Sequence, residues 1–490
     1  MTGGNNRNTG DLAARRRRRT RLWVGLALAV LVSLVASVAL IVQPWTPEFE
    51  HGGLTVAAPP APVTVDPKVD PAPSDAAAPS RGGIEAALTG VIANPDLGAF
   101  AGQVTDADSG AVLWSGGADT PMIPSSTLKM LTTAAALLAL PADSRVTTRV
   151  VAGATPNEAV LVAAGDPTIT ARPDGKGYYP GAAKLADLAA GLRGRGIDSI
   201  VVDTSAYTGP TMAKGWDPAD IPGGSIAPLE PVLIDGGRLD PLVEYAPRST
   251  TPALDAGRQL AAQLGIDPAK VELGTAAPGA AELASVRSAP LRDRLRQLMV
   301  WSDNVLAETV GREVAAARGL PQSFDGAATA VRTVLTEAGF DLTGVSLHDT
   351  SGLSVDDRVP ARALAAVLTA AAEPTGADPT GAVAGKPAGT SAKPEGGALA
   401  AKLAPLLDTL PVAGATGSLA SRYTGGDPVG AGWIRAKTGT LSVASALVGY
   451  VLDRDGRVLT FALMSNDRPP EVSRPALDAI AGTLRNCGCS

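Results

Sequence analysis

Three short segments carry residues whose types and spacing could do chemistry together. Ser126-Thr127-Leu128-Lys129 sets a hydroxyl and an amine three residues apart, so on a helix both face one side. Ser302-Asp303-Asn304 adds a second hydroxyl and a carboxamide, and Lys437-Thr438-Gly439, followed by Thr440, adds a second amine. A serine hydroxyl is a poor nucleophile near neutral pH and needs a base. A buried lysine close to another cation can be that base, because desolvation and like charge both lower its pKa. Each segment alone also has an ordinary reading: Ser126 as a helix cap, Ser302 and Asn304 as turn residues, Lys437 as a solvated edge-strand lysine. The occurrence of all three, in this order and each in suitable local structure, is what points to one site.

The chain has 490 residues but only two histidines, His51 and His348, and two cysteines, Cys487 and Cys489. No zinc ligand set can be assembled from them, and no metal or cofactor is expected. His348 is the one alternative base for a serine, and no Gly-x-Ser-x-Gly elbow accompanies it. The cysteines are assigned no catalysis. Outside the cytoplasm they can form a small ring or pair with another chain.

Elements must bring the three segments together. Gly102 to Trp114 reads as a hairpin turning at Asp108-Ser109-Gly110. Pro124-Ser125-Ser126 opens a helix with Leu128, Met130, Leu131 and Ala135 on it, which places Ser126 at a helix N-terminus, suited to an oxyanion. Near the C-terminus, Trp433 to Arg454 and Val458 to Ser465 read as two antiparallel strands, apolar enough to be covered on both faces. A closing helix is expected over about 472–485. Between Lys129 and Ser302 lie 172 residues, far more than a connection needs. They hold strand patterns near 146–151, 159–162 and 199–202 and an amphipathic helix near 182–195. An inserted domain over 145–280 is the expectation, budding from a catalytic domain formed by 84–144 and 281–490. Residues 373–399, rich in Gly, Pro, Ala and Thr, read as a mobile insertion.

The net charge of −6 conceals an asymmetry. Residues 1–21 hold seven arginines against Asp11, a net +6, which leaves −12 for the remainder. An acidic body argues against nucleic acid as partner. The basic segment reads as a cytoplasmic tail, because Leu22 to Val42 follows without a charge. At 1.5 Å per residue, 22–42 spans about 30 Å as a helix, enough to cross a bilayer. The arginines would stay inside and the body would lie outside, a single-pass arrangement in the cell membrane. The competing reading is a signal peptide cleaved after Ser37-Val38-Ala39. Residues 43–83, with Pro59-Pro60-Ala61-Pro62 among them, read as a disordered, extended linker.

The three motifs resemble those of penicillin-binding proteins, and the wider match narrows the likeness. Pro124 before Ser126, Trp301 to Glu308, Gly165-Asp166-Pro167-Thr168, Gly215-Trp216-Asp217-Pro218 through Pro228, and Asp349-Thr350-Ser351-Gly352-Leu353-Ser354 are all similar to class C low-molecular-mass members, the D-alanyl-D-alanine carboxypeptidase/endopeptidase family. The resemblance covers about residues 84–484. It implies an α/β penicillin-binding, serine β-lactamase-like transpeptidase fold with a five-stranded antiparallel sheet flanked by helices, and an inserted α+β domain. It also implies peptidoglycan stem peptides as substrates and β-lactams as covalent inhibitors. On that pattern Ser126 is the nucleophile, Lys129 the base, and Ser302 the relay from Lys129 to the leaving amine. Asn304 would bond the substrate carbonyl and fix the Lys129 ammonium. Lys437 would attract the terminal carboxylate, which the Thr438 and Thr440 hydroxyls can bond. Gly439 would let the strand approach substrate, and the Ser126 and Thr440 N–H groups would form the oxyanion hole. The rival readings are a β-lactamase, for which no Glu-x-x-Leu-Asn stretch is found between the first two motifs, and a membrane-tethered wall scaffold without turnover, which would have no use for Ser126, Lys129, Ser302 and Lys437 together.

Overall fold

The computed structural model describes residues 23, 28–42, 76–373, 394–425 and 429–489. The basic tail and residues 43–75 of the expected linker lie outside the described residues, as does most of the insertion. Residues 28–42 are helical with their apolar side chains exposed. Among the described residues no helix is long and apolar enough to cross a membrane.

From residue 76 the chain runs through α1 (Arg81–Ile92), β1 (Ala99–Asp106), β2 (Val112–Gly116), α2 (Lys129–Ala139), β3 (Thr147–Ala152) and β4 (Glu158–Val162). Then come α3 (Leu185–Leu192), β5 (Ser199–Asp203), α4 (Pro252–Leu264), β6 (Val271–Gly274), β7 (Glu282–Arg287), α5 (Leu291–Val300), α6 (Asn304–Ala317), α7 (Phe324–Glu337) and α8 (Ala361–Ala372). The chain closes with β8 (Arg435–Leu441), β9 (Ala444–Leu452), β10 (Val458–Asn466) and α9 (Pro470–Asn486). Folding starts earlier than residue 84, because Ser80 caps α1 by accepting from Gly83 N at 3.0 Å. Helix also covers Pro394–Leu403, which begins within the last residues of what the composition suggested was a mobile loop and runs past its end.

One five-stranded sheet has the order β8-β9-β10-β1-β2, antiparallel throughout. The hairpin near the start of the body therefore pairs with the last strand of the chain. Along β9 and β10 alternate residues enter two different cores. Ala446, Val448, Ala462 and Met464 join the one built with α2 and α6, and Leu447, Val451, Phe461 and Leu463 the one under α1 and α9. That is why both strands read as continuous apolar runs rather than alternating ones. The stretch from Trp433 to Arg454, expected as a single strand, is a hairpin turning tightly at Ser442-Val443. Of the two only Ser442 is a turn former, and a weak one, so the turn carried little compositional signal.

A second five-stranded sheet, β7-β3-β4-β5-β6, is mixed, with β4, β5 and β6 parallel. Its helices α3 and α4 share a separate core with it. The edge strand β7 pairs with β3 and runs to Arg287, past the expected limit at 280. Its polar, partly exposed sequence hid it from a hydrophobicity reading. Cys487 and Cys489 form a disulfide with one another, and Cys489 O accepts from Ser80 N at 2.8 Å, joining the two ends of the body.

The turn between β1 and β2 is tied to the one between β9 and β10 by Arg457. Its Nε and Nη2 each lie 2.7 Å from an oxygen of Asp106, and its Nη1 2.7 Å from Asp108. Burial works against the Asp106 carboxylate, but Arg457 and Ser109 together hold its pKa below the ordinary value. A depressed carboxylate contributes stability above the unfolded pKa and loses it as pH falls through the folded one. Arg457→Met strands a buried charge, so it should cost about 3–5 kcal/mol. The acid-unfolding midpoint should also move to higher pH. Denaturant titrations of both proteins between pH 7 and pH 3 measure this.

Candidate active site

Ser126 does not sit on the first turn of a regular α-helix. Residues Ser125–Leu128 form a 3₁₀ turn that runs directly into α2, and Ser125 has φ +49°. The turn is tightened by Thr127, whose N–H and Oγ1–H both donate to Pro124 O, at 3.2 and 2.6 Å. Lys129, the first residue of α2, has no solvent exposure, whereas Ser126 is half-buried at a cleft of about 860 Å³. The cleft is bounded by this turn, by residues 301–304, by β8, and by a wall from the 178–248 stretch that includes Tyr178 and Arg238.

Lys129 Nζ has three oxygen neighbours: Ser126 Oγ at 3.0 Å, Asn304 Oδ1 at 2.6 Å and Ser351 O at 2.7 Å. Burial pushes its pKa down to about 8, and the carboxylates of Asp349, Glu308 and Asp303 keep it from falling further. A neutral amine has two N–H bonds and one lone pair. With Asn304 Oδ1 and Ser351 O able only to accept, they take the two N–H groups, and the lone pair is left facing Ser126 Oγ. This geometry equips Lys129 to receive the serine proton.

The second amine is placed differently. Lys437 Nζ donates to Ser302 Oγ at 2.8 Å and to Thr438 O at 2.8 Å. Burial, followed by the nearby Lys129 charge, drives its pKa well below the usual lysine value. Ser302 is thus a direct hydrogen-bond partner of Lys437, which β8 carries to the Ser302 turn. Thr438 Oγ1 is bonded to Ser418 Oγ at 2.7 Å, while Thr440 is exposed at the cleft. Gly439 turns away from the cleft. A Cβ there would lie 2.8 Å from Pro124 O and 2.9 Å from Ser125 Cβ, so the missing side chain admits the Ser126 turn rather than a ligand. Asn304 Nδ2 donates to Ser225 O at 3.0 Å, so the 178–248 wall also holds the carboxamide. All eight sequence-selected residues therefore lie around one centre. His348 is elsewhere, its N–H bonded to Asp357, and is not among the cleft-lining residues described.

Several contributors were not selected from sequence. The Ser351 carbonyl is aimed at Lys129 by a loop gathered on Asp349. That carboxylate accepts from the N–H groups of Ser351, Gly352 and Ser354 and from Trp216 Nε1, at 2.7–3.0 Å. The Asp349-Thr350-Ser351-Gly352-Leu353 segment was visible as a signature, but nothing in it announced that a main-chain oxygen would be the working atom. Ser418 carried no signal at all, and Ser225 was visible only as part of the Gly215–Pro228 segment, with no role marked.

The antiparallel sheet backed by helices, with a buried-lysine serine centre at its edge, defines the penicillin-binding, β-lactamase-like class of proteins. Penicillin-binding protein 4 (dacB) of Haemophilus influenzae has the same fold, with a TM-score of 0.64 at 21% identity over 82% of this chain and 98% of that one. Residues 84–248, 241–395 and 398–487 match the D-Ala-D-Ala carboxypeptidase 3 (S13) family, to which the chain belongs. It is 49% identical to carboxypeptidase DacB of Mycolicibacterium smegmatis, over 96% of this chain and 98% of that one. It is also 49% identical to carboxypeptidase Rv3627c of Mycobacterium tuberculosis, over 89% and 90% respectively. The enzyme is a serine-type D-Ala-D-Ala carboxypeptidase.

Gly352 gives a direct test of how the loop supports the serine. Its φ is +78°, and a Cβ would lie 1.9 Å from Ser125 O. Gly352→Ala must displace the residue before Ser126, and a misplacement near 1 Å costs about 10²-fold in rate. Stopped-flow acylation by a chromogenic β-lactam should show that loss.

Proposed function

We propose that the enzyme removes the terminal D-alanine of peptidoglycan stem peptides through an ester on Ser126. The observation that carries this is the Lys129 amine held by two carbonyl oxygens beside Ser126 Oγ. Ser126 attacks the D-Ala-D-Ala carbonyl as its proton passes to Lys129. The oxyanion is bound by the N–H groups of Ser126 and Thr440, each such donor being worth about 3 kcal/mol of barrier. Ser302, bonded to Lys437, relays to the departing D-alanine amine the proton that Lys129 took from Ser126, which leaves Lys129 neutral again for the water step. Lys437 lends positive potential for the terminal carboxylate, which the exposed Thr440 hydroxyl and the Thr438 hydroxyl can receive. Asn304 splits its amide, its oxygen fixing Lys129 and its nitrogen side facing the substrate wall. Water then releases the acyl group. The same steps on a cross-linked peptide would make the enzyme an endopeptidase.

β-Lactams would acylate the same serine. Support comes from the fold shared with the Haemophilus protein, which has also been solved with a bound β-lactam. The arginine-rich tail and the uncharged stretch of residues 22–42 support a single-pass anchor that keeps the body outside the cytoplasm. Removing residues 1–42 should move the enzyme from the membrane pellet to the soluble fraction of a cell lysate.

Labelling with a fluorescent penicillin tests the central claim. A stable adduct on the wild type, absent from Ser126→Ala, supports the carboxypeptidase; rapid loss of label would instead indicate a lactamase, and no label a scaffold. The pH profile tests the base. Acylation should rise with pH to a plateau and be half-maximal near the Lys129 value of about 8. Because the Asp349 carboxylate raises that value, Asp349→Asn should shift the rising limb to lower pH, as well as slowing the plateau rate.

A further inference from the structure

We propose that Arg238 and Tyr179 are positioning residues for acylation: they grip the Asp303 carboxylate and so hold Ser302 and Asn304 against the two lysines. The inference rests on the roles given above to Ser302 and Asn304. Ser302 needs such a hold, because its φ is +57°. A non-glycine residue in that region is strained and persists only where its surroundings enforce it.

The surroundings converge on Asp303. One carboxylate oxygen caps α6, accepting from Leu306 N at 2.8 Å. The other accepts from Tyr179 Oη–H at 2.9 Å and from Arg238 Nη2 at 3.2 Å. Arg238 Nη1 donates to Tyr179 Oη at 3.0 Å and to Asp235 O at 3.1 Å, and Nε to Glu244 O at 3.2 Å. Its guanidinium also lies 3.3 Å from the Tyr178 ring centroid. Four of its five N–H bonds are thereby used within the protein. Although Arg238 borders the cleft, its charge is directed at Asp303 and not at a ligand. The Arg238 and Asp303 side chains are only 2% and 3% exposed. Burial would raise the Asp303 carboxyl, but Arg238 and Arg248 bring it below its ordinary value, so the ion pair is intact at neutral pH.

The far end of the grip is itself anchored. Asp235 accepts from Tyr178 N at 2.8 Å and from Thr170 Oγ1 at 3.0 Å, and Arg248 Nη1 donates to Gly236 O at 2.6 Å. Gly236 has φ +66°, and a Cβ there would lie 2.5 Å from Tyr179 Oη and 2.7 Å from Arg238 Nη1. The stretch from 170 to 248 thus reaches the Ser302-Asp303-Asn304 turn twice, at Asp303 and at Asn304 through Ser225. Its contribution to the reaction is mechanical: it fixes where the relay hydroxyl and the carboxamide stand.

Two variants outside the reacting groups test this in the intact enzyme. Tyr179→Phe deletes one hydroxyl, and Gly236→Ala presses a methyl into the Tyr179–Arg238 pair. Active sites are counted by titration with a fluorescent penicillin, and acylation is then followed per titrated site. Both variants should lose up to about 10²-fold in the acylation rate constant, the scale of a misplacement near 1 Å. Noncovalent binding of the penicillin should change less than about twofold, since the substrate-facing groups are retained. Unchanged per-site rates in both variants, beside a normally labelled wild type, overturn the grip alone. Loss of the cooperative unfolding transition in both overturns it too, because positioning residues leave the fold standing. A wild type that takes no label overturns the reading of the site and the grip with it.

Discussion

The structure depends on keeping an amine dry. Lys129 is fully buried, yet it touches the nucleophile, and both conditions must hold for it to lose its proton near neutral pH. Burial alone would carry the pKa lower still. The carboxylates of Asp349, Glu308 and Asp303 pull it back toward about 8. The site is therefore a balance between desolvation and buried negative charge. Of the residues that supply the charge, Glu308 and Asp349 are fully buried behind the amine, while Asp303 borders the cleft.

That balance dictates the architecture around it. The three oxygens near Lys129 come from the Ser126 turn, the start of α6 and the loop at 349–354, up to 222 positions from Lys129 in sequence. The second amine arrives on β8, an edge strand of a sheet whose inner strands, β9 and β10, are covered on both faces. An edge position leaves the outer side of β8 free to face the cleft, while the covered strands beneath it give Lys437 a rigid footing. The missing Gly439 side chain lets this edge close on the Ser126 turn.

The mixed second sheet and the segments attached to it do more than extend the body. Ser225 and Arg238 make direct contact with the turn bearing Ser302, and Trp216 reaches the Asp349 carboxylate. A region far in sequence from the Ser302 turn and the Asp349 loop thus sets the posture of both. This coupling accounts for the burial of Tyr179, Arg238 and Asp303, whose polar groups would be costly if left unpaired.

Much of the site was legible in the sequence. Side chains with distinctive chemistry named Ser126, Lys129, Ser302, Asn304 and Lys437, and apolar runs located β9, β10 and α9, because hydroxyls, amines and hydrophobic periodicity are written in residue types. The turn at Ser442-Val443 and the polar edge strand β7 were not legible, since neither has a composition that sets it apart. Which lysine serves which serine was also decided only by folding, as was the use of a main-chain oxygen at Ser351. Every residue has a carbonyl, so no sequence marks the one that will matter. The sequence determined which functional groups are available, and the tertiary structure decided their pairing, because hydrogen bonds act over about 3 Å between segments that the chain alone leaves far apart.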